Sequence, residues 1–89
     1  MKGIITVVGK DKVGIISQIC SCLADNSVNI LDISQTILQG YFNMMMIVDL
    51  SNLKISFNDI VEELNKIALQ KEVSIKLQNE DIFNTMHRI

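Results

Sequence analysis

The stretch GKDKVG, residues 9–14, decides how this chain folds, because it joins an apolar run to a helical pattern. The run IITVV, residues 4–8, leads into it, and helical spacing of apolar residues begins near Val13. A glycine-bracketed turn between a strand and a helix leaves backbone N–H groups free at the helix N-terminus. Such groups attract a small anion or a carboxylate. The stretch therefore predicts a strand–turn–helix unit that seats a small ligand.

Composition limits the class of protein. The chain has 89 residues, 48% of them apolar, with no proline and four glycines. This length and composition predict one ordered domain. The net charge of −2 argues against a nucleic-acid partner, which calls for a basic surface. No apolar stretch approaches the ~20 residues that span a bilayer, and the first apolar run is too short for a secretory signal. We therefore expect a cytoplasmic protein without membrane contact.

The spacing of apolar residues predicts the element order βαββαβ. Strands are expected at about residues 2–8, 28–38, 42–50 and 73–78, with helices at about 13–26 and from Ser56 onward. Right-handed crossovers would place both helices on one face of a four-stranded antiparallel sheet. This is an α+β, ferredoxin-like sandwich covering residues 1–80. Residues 81–89 form a predicted short C-terminal helix, with Asn79 as its cap.

The side-chain patterns within these elements predict which faces are buried. The first helix shows an apolar stripe, and the second strand alternates apolar with polar residues, which indicates a half-buried strand. The third strand is apolar on both faces over residues 44–48, so something must cover the face away from the helices. Either the C-terminal helix or another subunit would do so. The helical stripe consists of Ile16, Ile19, Cys20 and Leu23, and the apolar strand face of Leu31, Ile33 and Ile37.

No group of residues in the sequence predicts catalysis, a cofactor or a metal ion. Gly9 and Gly14 have the spacing of a phosphate-binding loop, but two isoleucines follow where that loop needs Lys and Ser or Thr. Cys20 and Cys22 would point about 200° apart on a helix, so they are expected to be small core residues. His87 is the only histidine and is read as a surface residue. The chain is therefore not expected to be an enzyme.

Two polar residues are candidates for ligand binding. Asp11 is either a turn and helix-cap residue or a carboxylate that faces the ammonium group of a bound amino acid. Asn29 either satisfies the backbone of its own turn or offers its amide donor and acceptor to the two charged ends of an amino acid. The residues alone leave both alternatives open.

Three segments of the chain resemble the ACT domain family, and the resemblance spans nearly all of residues 1–80. They are GKDKVGII at residues 9–16, NSVNI at 26–30 and DISQT at 32–36. The first two match the family's signature closely, with Val13 where the family commonly has proline. The chain resembles a stand-alone ACT protein and is similar to the glycine-cleavage regulator type, which usually has two domains. What this domain would regulate is left open.

The resemblance implies a regulatory domain that binds an amino acid or a similar metabolite at the interface of a homodimer or a higher homo-oligomer. In the family's serine-binding arrangement, the ligand lies between the loop of one subunit and the start of the second strand of its neighbour. The alternative is an oligomerisation or protein-interaction module that binds no ligand and serves an unidentified protein partner. Carried onto this sequence, the site consists of Gly9, Lys10, Asp11, Val13, Gly14, Ile15, Asn29 and Ile30.

Overall fold

The computed structural model describes residues 1–10 and 13–81 and confirms the predicted βαββαβ order. The four strands form one antiparallel sheet in the order β2-β3-β1-β4, with both helices against one face, which is a ferredoxin-like sandwich. Its elements are β1 (Lys2–Lys10), α1 (Ile15–Asp25), β2 (Asn29–Leu38), β3 (Tyr41–Asp49), α2 (Phe57–Lys71) and β4 (Ser74–Asn79).

The hydrophobic core lies between the helices and the two central strands, β1 and β3. Alternate residues of each strand point toward the helices, as a pleated strand requires. Burying these side chains supplies the main driving force for folding. The core consists of Ile5, Val7, Ile15, Ile19, Leu23, Val28, Phe42, Met44, Met46, Val48, Leu50, Ile60, Leu64 and Ile75.

The first strand is longer than the sequence predicted. It continues to Lys10 rather than ending at residue 8, because Gly9 pairs with Phe42 and Lys10 pairs with Tyr41 of β3. The sequence pattern placed both residues in the loop, since glycine and lysine disfavour strands locally. Pairing with the long third strand overrides that local preference.

The first helix begins later than predicted and buries a different stripe. It starts at Ile15, with Gly14 at the N-cap position at a φ of 89°, and it ends at Asp25. Ile15, Ile19 and Leu23 are buried, while Ile16 is 38% exposed. Ile15, Ile19 and Leu23 are spaced four apart and share one face of the helix, and Ile16 lies at the edge of that face. The cysteines are half-buried and pack against the core rather than within it.

The second helix confirms its predicted start. Ser56 is the N-cap, and its Oγ accepts a hydrogen bond from the backbone N–H of Asp59 at 3.1 Å. This bond satisfies one of the N–H groups that the first turn of any helix leaves without a partner. Ile60 and Leu64 are buried against the sheet, in line with the predicted stripe.

The prediction of a half-buried second strand is wrong. Ile33 and Ile37 lie opposite Met46 and Phe42 and thus on the helix side of the sheet, yet they are 44% and 53% exposed. β2 is an edge strand, and none of its ten residues is buried. The helices pack over β1 and β3, so the apolar side of β2 extends beyond the layer that would cover it.

The third strand confirms the prediction of two apolar faces. Met44, Met46 and Val48 are buried under the helices, while Met45, on the opposite face, is 41% exposed. The backbone N–H of Asp81 donates to Oδ1 of Asn79 at 2.8 Å, a bond of the kind that caps a helix. The rest of the predicted C-terminal helix falls on residues 82–89, outside the described residues. The domain boundary at residue 80 therefore stays a prediction.

Candidate functional site

The structure places most of the predicted loop residues at one end of the sheet. Gly9 and Lys10 are the last two residues of β1, and Ile15 is the first residue of α1, directly after the N-cap Gly14. Val13 precedes this cap and is 96% exposed. The remaining predicted residue of this loop, Asp11, lies outside the described residues.

The N-terminus of α1 presents backbone donors that its own side chains do not cap. The first hydrogen bond of the helix runs from the N–H of Gln18 to the carbonyl oxygen of Gly14, at 3.0 Å. The N–H groups of residues 15–17 come before this bond, so they have no acceptor within the helix. Among residues 1–10 and 13–81, no side chain caps α1, and no acidic residue occupies its first turn. This end of the helix therefore has the geometry and the dipole to hold an anion.

The turn between α2 and β4 holds both ends of the loop, a feature that the sequence analysis missed. A Cβ atom added to Gly9 would lie 2.6 Å from Cγ1 of Val73, so only a glycine allows this approach. Nearby, Nζ of Lys71 donates a hydrogen bond to the carbonyl oxygen of Val13 at 3.1 Å. Lys71 and Val73 are some 60 residues from the loop in sequence. Local periodicity carries no signal for a contact of that separation.

The second half of the predicted site lies at the other end of the same subunit. Asn29 and Ile30 begin β2, where Asn29 pairs with Asp49, and Asp49 in turn pairs with Lys2. Gly9 is seven residues further along the sheet, which corresponds to about 23 Å at the rise of a β-strand. One subunit therefore does not join Asn29 to the loop, and the predicted arrangement requires a second subunit.

Charged and polar contacts near Asn29 fix the end of β3. The backbone N–H and the hydroxyl of Ser51 both donate to Oδ1 of Asp49, at 2.9 Å and 2.6 Å. These two hydrogen bonds stabilise the carboxylate form and hold the pKa of Asp49 below its ordinary value. The negative charge opposite Asn29 on the neighbouring strand is therefore retained at neutral pH.

A second polar cluster links the two helices. Asn26 is buried, and its Nδ2 donates to the carbonyl oxygen of Cys22 at 2.9 Å and to Oε2 of Glu63 at 3.5 Å. Burial raises the pKa of the Cys22 thiol, and the carboxylates of Glu63 and Asp25 raise it further. A thiol with a raised pKa holds its proton and is a poor nucleophile. The Asn26–Glu63 contact is therefore best described as a structural link between the two helices.

The described part of the chain holds no group of three or more His, Cys, Asp or Glu residues placed to bind a metal ion. Over residues 1–10 and 13–81, no helix combines the length and the apolar character needed to cross a membrane.

Comparison with known proteins identifies the family. The model of the ACT domain family matches residues 3–78, which is most of the chain and reaches from the second residue of β1 to the last but one residue of β4. The chain belongs to the ACT domain family. Because ACT domains are typically ligand-sensing regulatory domains, this assignment agrees with a regulatory rather than a catalytic role.

Relatives of the same length support this assignment. A UPF0237 protein from Clostridium acetobutylicum is 55% identical over 89 residues, with all of both chains covered. The solved structure of an ACT domain protein from Streptococcus pneumoniae is 43% identical and has a TM-score of 0.79, with 93% of each chain covered. The chain is thus similar to stand-alone, single-domain ACT proteins, as the sequence predicted.

A more distant likeness concerns the fold alone. The crystal structure of a putative glycine cleavage system transcriptional repressor matches with a TM-score of 0.70 and 22% identity. The match covers 86% of this chain and 44% of that protein. One ACT domain here therefore corresponds to about half of that longer chain.

Proposed function

We propose that this chain is a non-catalytic regulatory protein that binds a small amino acid between two subunits. The observation that carries the proposal is the N-terminus of α1, which begins after Gly14 with no acidic residue in its first turn and no cap from any side chain that the structure describes. A carboxylate bound there would accept hydrogen bonds from the backbone and interact favourably with the helix dipole. The ACT family assignment supports a regulatory role for a ligand bound at this end of the helix.

An amino acid supplies the two charged ends that the candidate residues complement. The backbone N–H groups near Val13, Gly14 and Ile15 would bind its carboxylate. The carboxylate of Asp11 would attract its ammonium group, and the amide of Asn29 would bridge across from the partner subunit. Ile30 would line the partner's side of the site, and Gly9 and Lys10 would lead into the loop from the end of β1. The chain needs no cofactor for this function.

The edge strand β2 supports a second subunit at the required place. Its N–H and C=O groups along the outer edge are available for pairing, and its apolar side chains Ile33 and Ile37 are exposed. Antiparallel pairing of β2 with β2 of a second copy follows a two-fold axis. It brings the Asn29 end of one strand beside the Leu38 end of the other. Leu38 pairs with Tyr41, and Tyr41 with Lys10, so this is the end of the sheet that holds the loop.

An oligomerisation module without a ligand is the second candidate function. The exposed apolar side of β2 favours it, because an interface alone would account for Ile33 and Ile37. The two candidates differ in one observable property. A ligand that binds the folded state raises the melting temperature by mass action, and an interface without a ligand site shows no such response.

The first experiment is a thermal-shift screen of all twenty L-amino acids, followed by calorimetry on those that raise the melting temperature. We expect a dissociation constant in the micromolar to millimolar range, or roughly 4–8 kcal/mol of binding free energy. If no amino acid stabilises the folded protein, the ligand-free module is the better description.

Substitutions then locate the site. Asp11→Ala should weaken binding by roughly 1.5–3 kcal/mol because it removes a charged partner, and Asn29→Ala by about 1 kcal/mol. Glu62→Ala, at an exposed position remote from the loop, is the control and should bind like the parent. If Asp11→Ala and Asn29→Ala both retain the parent's affinity, the ligand lies elsewhere.

A further inference from the structure

A cleft of about 500 Å³ lies between α1 and α2. The residues that line it all belong to the described part of the chain, and none of them is a member of the buried core. Both walls come from one subunit, so the cleft is complete without a partner. Its volume falls in the range of known small-molecule sites. The residues that matter to its chemistry are Gln18, Cys22, Asp25, Glu63, Lys66 and Ile67.

The floor of this cleft contains an amide oxygen without a hydrogen-bond donor. Gln18 is half-buried near the start of α1, and its Oε1 atom is fully buried. This oxygen forms no hydrogen bond with any residue among 1–10 and 13–81. A buried acceptor left unpaired destabilises a fold, so a purely structural role does not account for a glutamine at this position. A ligand with an N–H group would supply the missing donor.

Two carboxylates make the other end of the cleft attractive to a cation. Asp25 lies in the last turn of α1, and Glu63 faces it from α2, where its Oε2 accepts from Nδ2 of Asn26 at 3.5 Å. The pKa of the Cys22 thiol on the floor is raised by burial and also by the charges of Glu63 and Asp25, so both charges lie close to the cleft. A carboxylate accepts up to four hydrogen bonds, so Glu63 can bind a further donor.

The length of the cleft and its apolar side suit an alkyl chain between these two ends. Asp25 and Gln18 are seven residues apart on α1, which corresponds to about 10 Å along the helix axis. On the opposite wall, Ile67 follows Glu63 by four residues, or about one turn, and is half-buried. Apolar surface therefore follows the charged end along the cleft toward Gln18.

We propose that this cleft binds a small molecule that carries an ammonium group at one end of an alkyl chain and a second N–H donor at the other, namely a basic amino acid or a diamine. The terminal ammonium group binds Asp25 and Glu63, and the second nitrogen donates to Oε1 of Gln18. The chain contacts Ile67. Lys66, at the exposed rim, favours the basic amino acid, because its charge attracts a carboxylate. This site is separate from the proposed site between subunits and does not depend on it.

A series of four compounds tests each contact in the parent protein. The amide resonances of isotope-labelled protein are followed by NMR while L-lysine, 1,5-diaminopentane, L-norleucine or 6-aminohexanoate is added. The diamine lacks the carboxylate of lysine, norleucine lacks its terminal ammonium group, and 6-aminohexanoate lacks its α-ammonium group. Each titration gives both a dissociation constant and the residues whose resonances shift.

We expect lysine to shift the side-chain amide resonances of Gln18 and the backbone resonances of Cys22 and Ile67. Norleucine should bind roughly tenfold more weakly than lysine, because it brings no charge to the carboxylates. The compound without the α-ammonium group should also bind more weakly and should leave the Gln18 amide unshifted. A diamine that binds more tightly than lysine identifies diamines as the ligand class, and the reverse order identifies basic amino acids.

Substitutions test the same contacts from the side of the protein. Asp25→Asn should weaken lysine binding about threefold, as expected for an exposed charge pair, without loss of stability, because a carboxylate in the last turn opposes the helix dipole. Gln18→Leu should also weaken binding, yet it should fold at least as stably as the parent, because it removes an unpaired buried acceptor. Glu62→Gln, which neutralises an exposed carboxylate of α2 outside the cleft, is the control and should bind like the parent.

Three results would overturn the inference without touching the proposed site between subunits. The first is a lysine titration that shifts only the resonances of the loop and of Asn29, which would support that other site instead. The second is equal binding of lysine and norleucine, or parental affinity in both Asp25→Asn and Gln18→Leu. The third is the absence of any shift in the cleft with lysine and the diamine at concentrations up to about 10 mM. The ligand series uses the parent protein, so it decides the matter even if Gln18→Leu fails to fold.

Discussion

At the scale of single residues, Gly9 shows how a local motif acquires a different meaning in the folded chain. The sequence identifies it as one of two glycines that bracket a turn. In the structure it lies within β1, and its requirement comes from Val73, whose Cγ1 would be 2.6 Å from an added Cβ. Gly14, in contrast, is required for its positive φ of 89°. The two glycines of one motif thus serve two different physical purposes.

Replacing Gly9 with alanine should destabilise the protein by about 1–3 kcal/mol, because the methyl group overlaps Val73 in a packed region. Urea denaturation measures the loss. Val73→Ala introduced into the Gly9→Ala protein should restore part of it, since it removes the clashing atoms. Gly40→Ala is the control for backbone conformation alone: its φ is 80°, with no atom within 4 Å of an added Cβ, and it should cost about 1 kcal/mol. A Gly9→Ala protein as stable as the parent would contradict the steric reading.

The Cys22 thiol should react slowly and should make stability depend on alkaline pH. Its raised pKa means that the folded state holds the thiol proton more tightly than the unfolded state does. The stability it contributes is therefore complete below the thiol's ordinary pKa and is lost as the pH rises from there through the raised pKa of the folded state. In a Cys20→Ser background, iodoacetamide at pH 8 should modify Cys22 more slowly than it modifies the urea-unfolded chain. Glu63→Gln should increase the rate in the folded protein, and an unchanged rate would show that this carboxylate is not a cause.

At the scale of secondary structure elements, the two helices begin in opposite ways. α2 starts with Ser56, whose hydroxyl satisfies a backbone donor of the first turn, and it carries Asp59 in that turn. α1 starts with Gly14 and has neither device. A side-chain cap stabilises its helix. Without one, the backbone N–H groups of the first turn are left to bind another partner. The proposed ligand site lies at the uncapped helix.

Ser56→Ala should therefore lower the free energy of unfolding by about 1 kcal/mol, the usual cost of removing an N-cap hydroxyl. Thermal and urea denaturation of the variant measure this change. Ser21→Ala, at an exposed position within α1, is the control and should not destabilise the protein, because alanine has the higher helix propensity. Equal stabilities of Ser56→Ala and the parent would show that the cap contributes nothing.

At the scale of the whole molecule, two apolar surfaces lie outside the core in the part of the chain that the structure describes. One is the helix-side face of β2, with Ile33 and Ile37, and the other lies on the face of the sheet away from the helices, where Met45 is exposed. Edge pairing through β2 would bury the first surface, and stacking of two sheets would bury the second. The proposed ligand site relies on edge pairing, because antiparallel pairing of β2 with a second copy would place Asn29 of the partner subunit beside the loop.

Ile37→Lys and Met45→Lys distinguish these two modes of assembly. We expect the parent to be a homodimer or a higher homo-oligomer. Ile37→Lys should weaken its edge interface, because it introduces a charge into apolar contact, and Met45→Lys should leave the edge-paired dimer intact. Light scattering coupled to gel filtration at micromolar concentrations measures the mass of each protein. A monomeric parent, or a dimer that dissociates only in Met45→Lys, would contradict edge pairing.

The sequence by itself determined the order of the elements, the start of α2 and the family. These features depend on residues close together in the chain: the twofold period of strands, the 3.6-residue period of helices, a serine before a helix and two signature segments. The amino-acid pattern also showed that β3 is apolar on both faces. Each of these signals is read within one element and does not require knowledge of its neighbours.

Only the tertiary structure decided which strand lies at the edge and what surrounds the loop. The alternation in β2 shows one apolar face, but the position of the helices determines whether that face is covered, and it is not. Similarly, Lys71 and Val73 meet the loop because the crossover of α2 returns the chain to β1. Contacts between residues some 60 positions apart depend on how elements pack, and packing is a property of the assembled chain rather than of any local pattern.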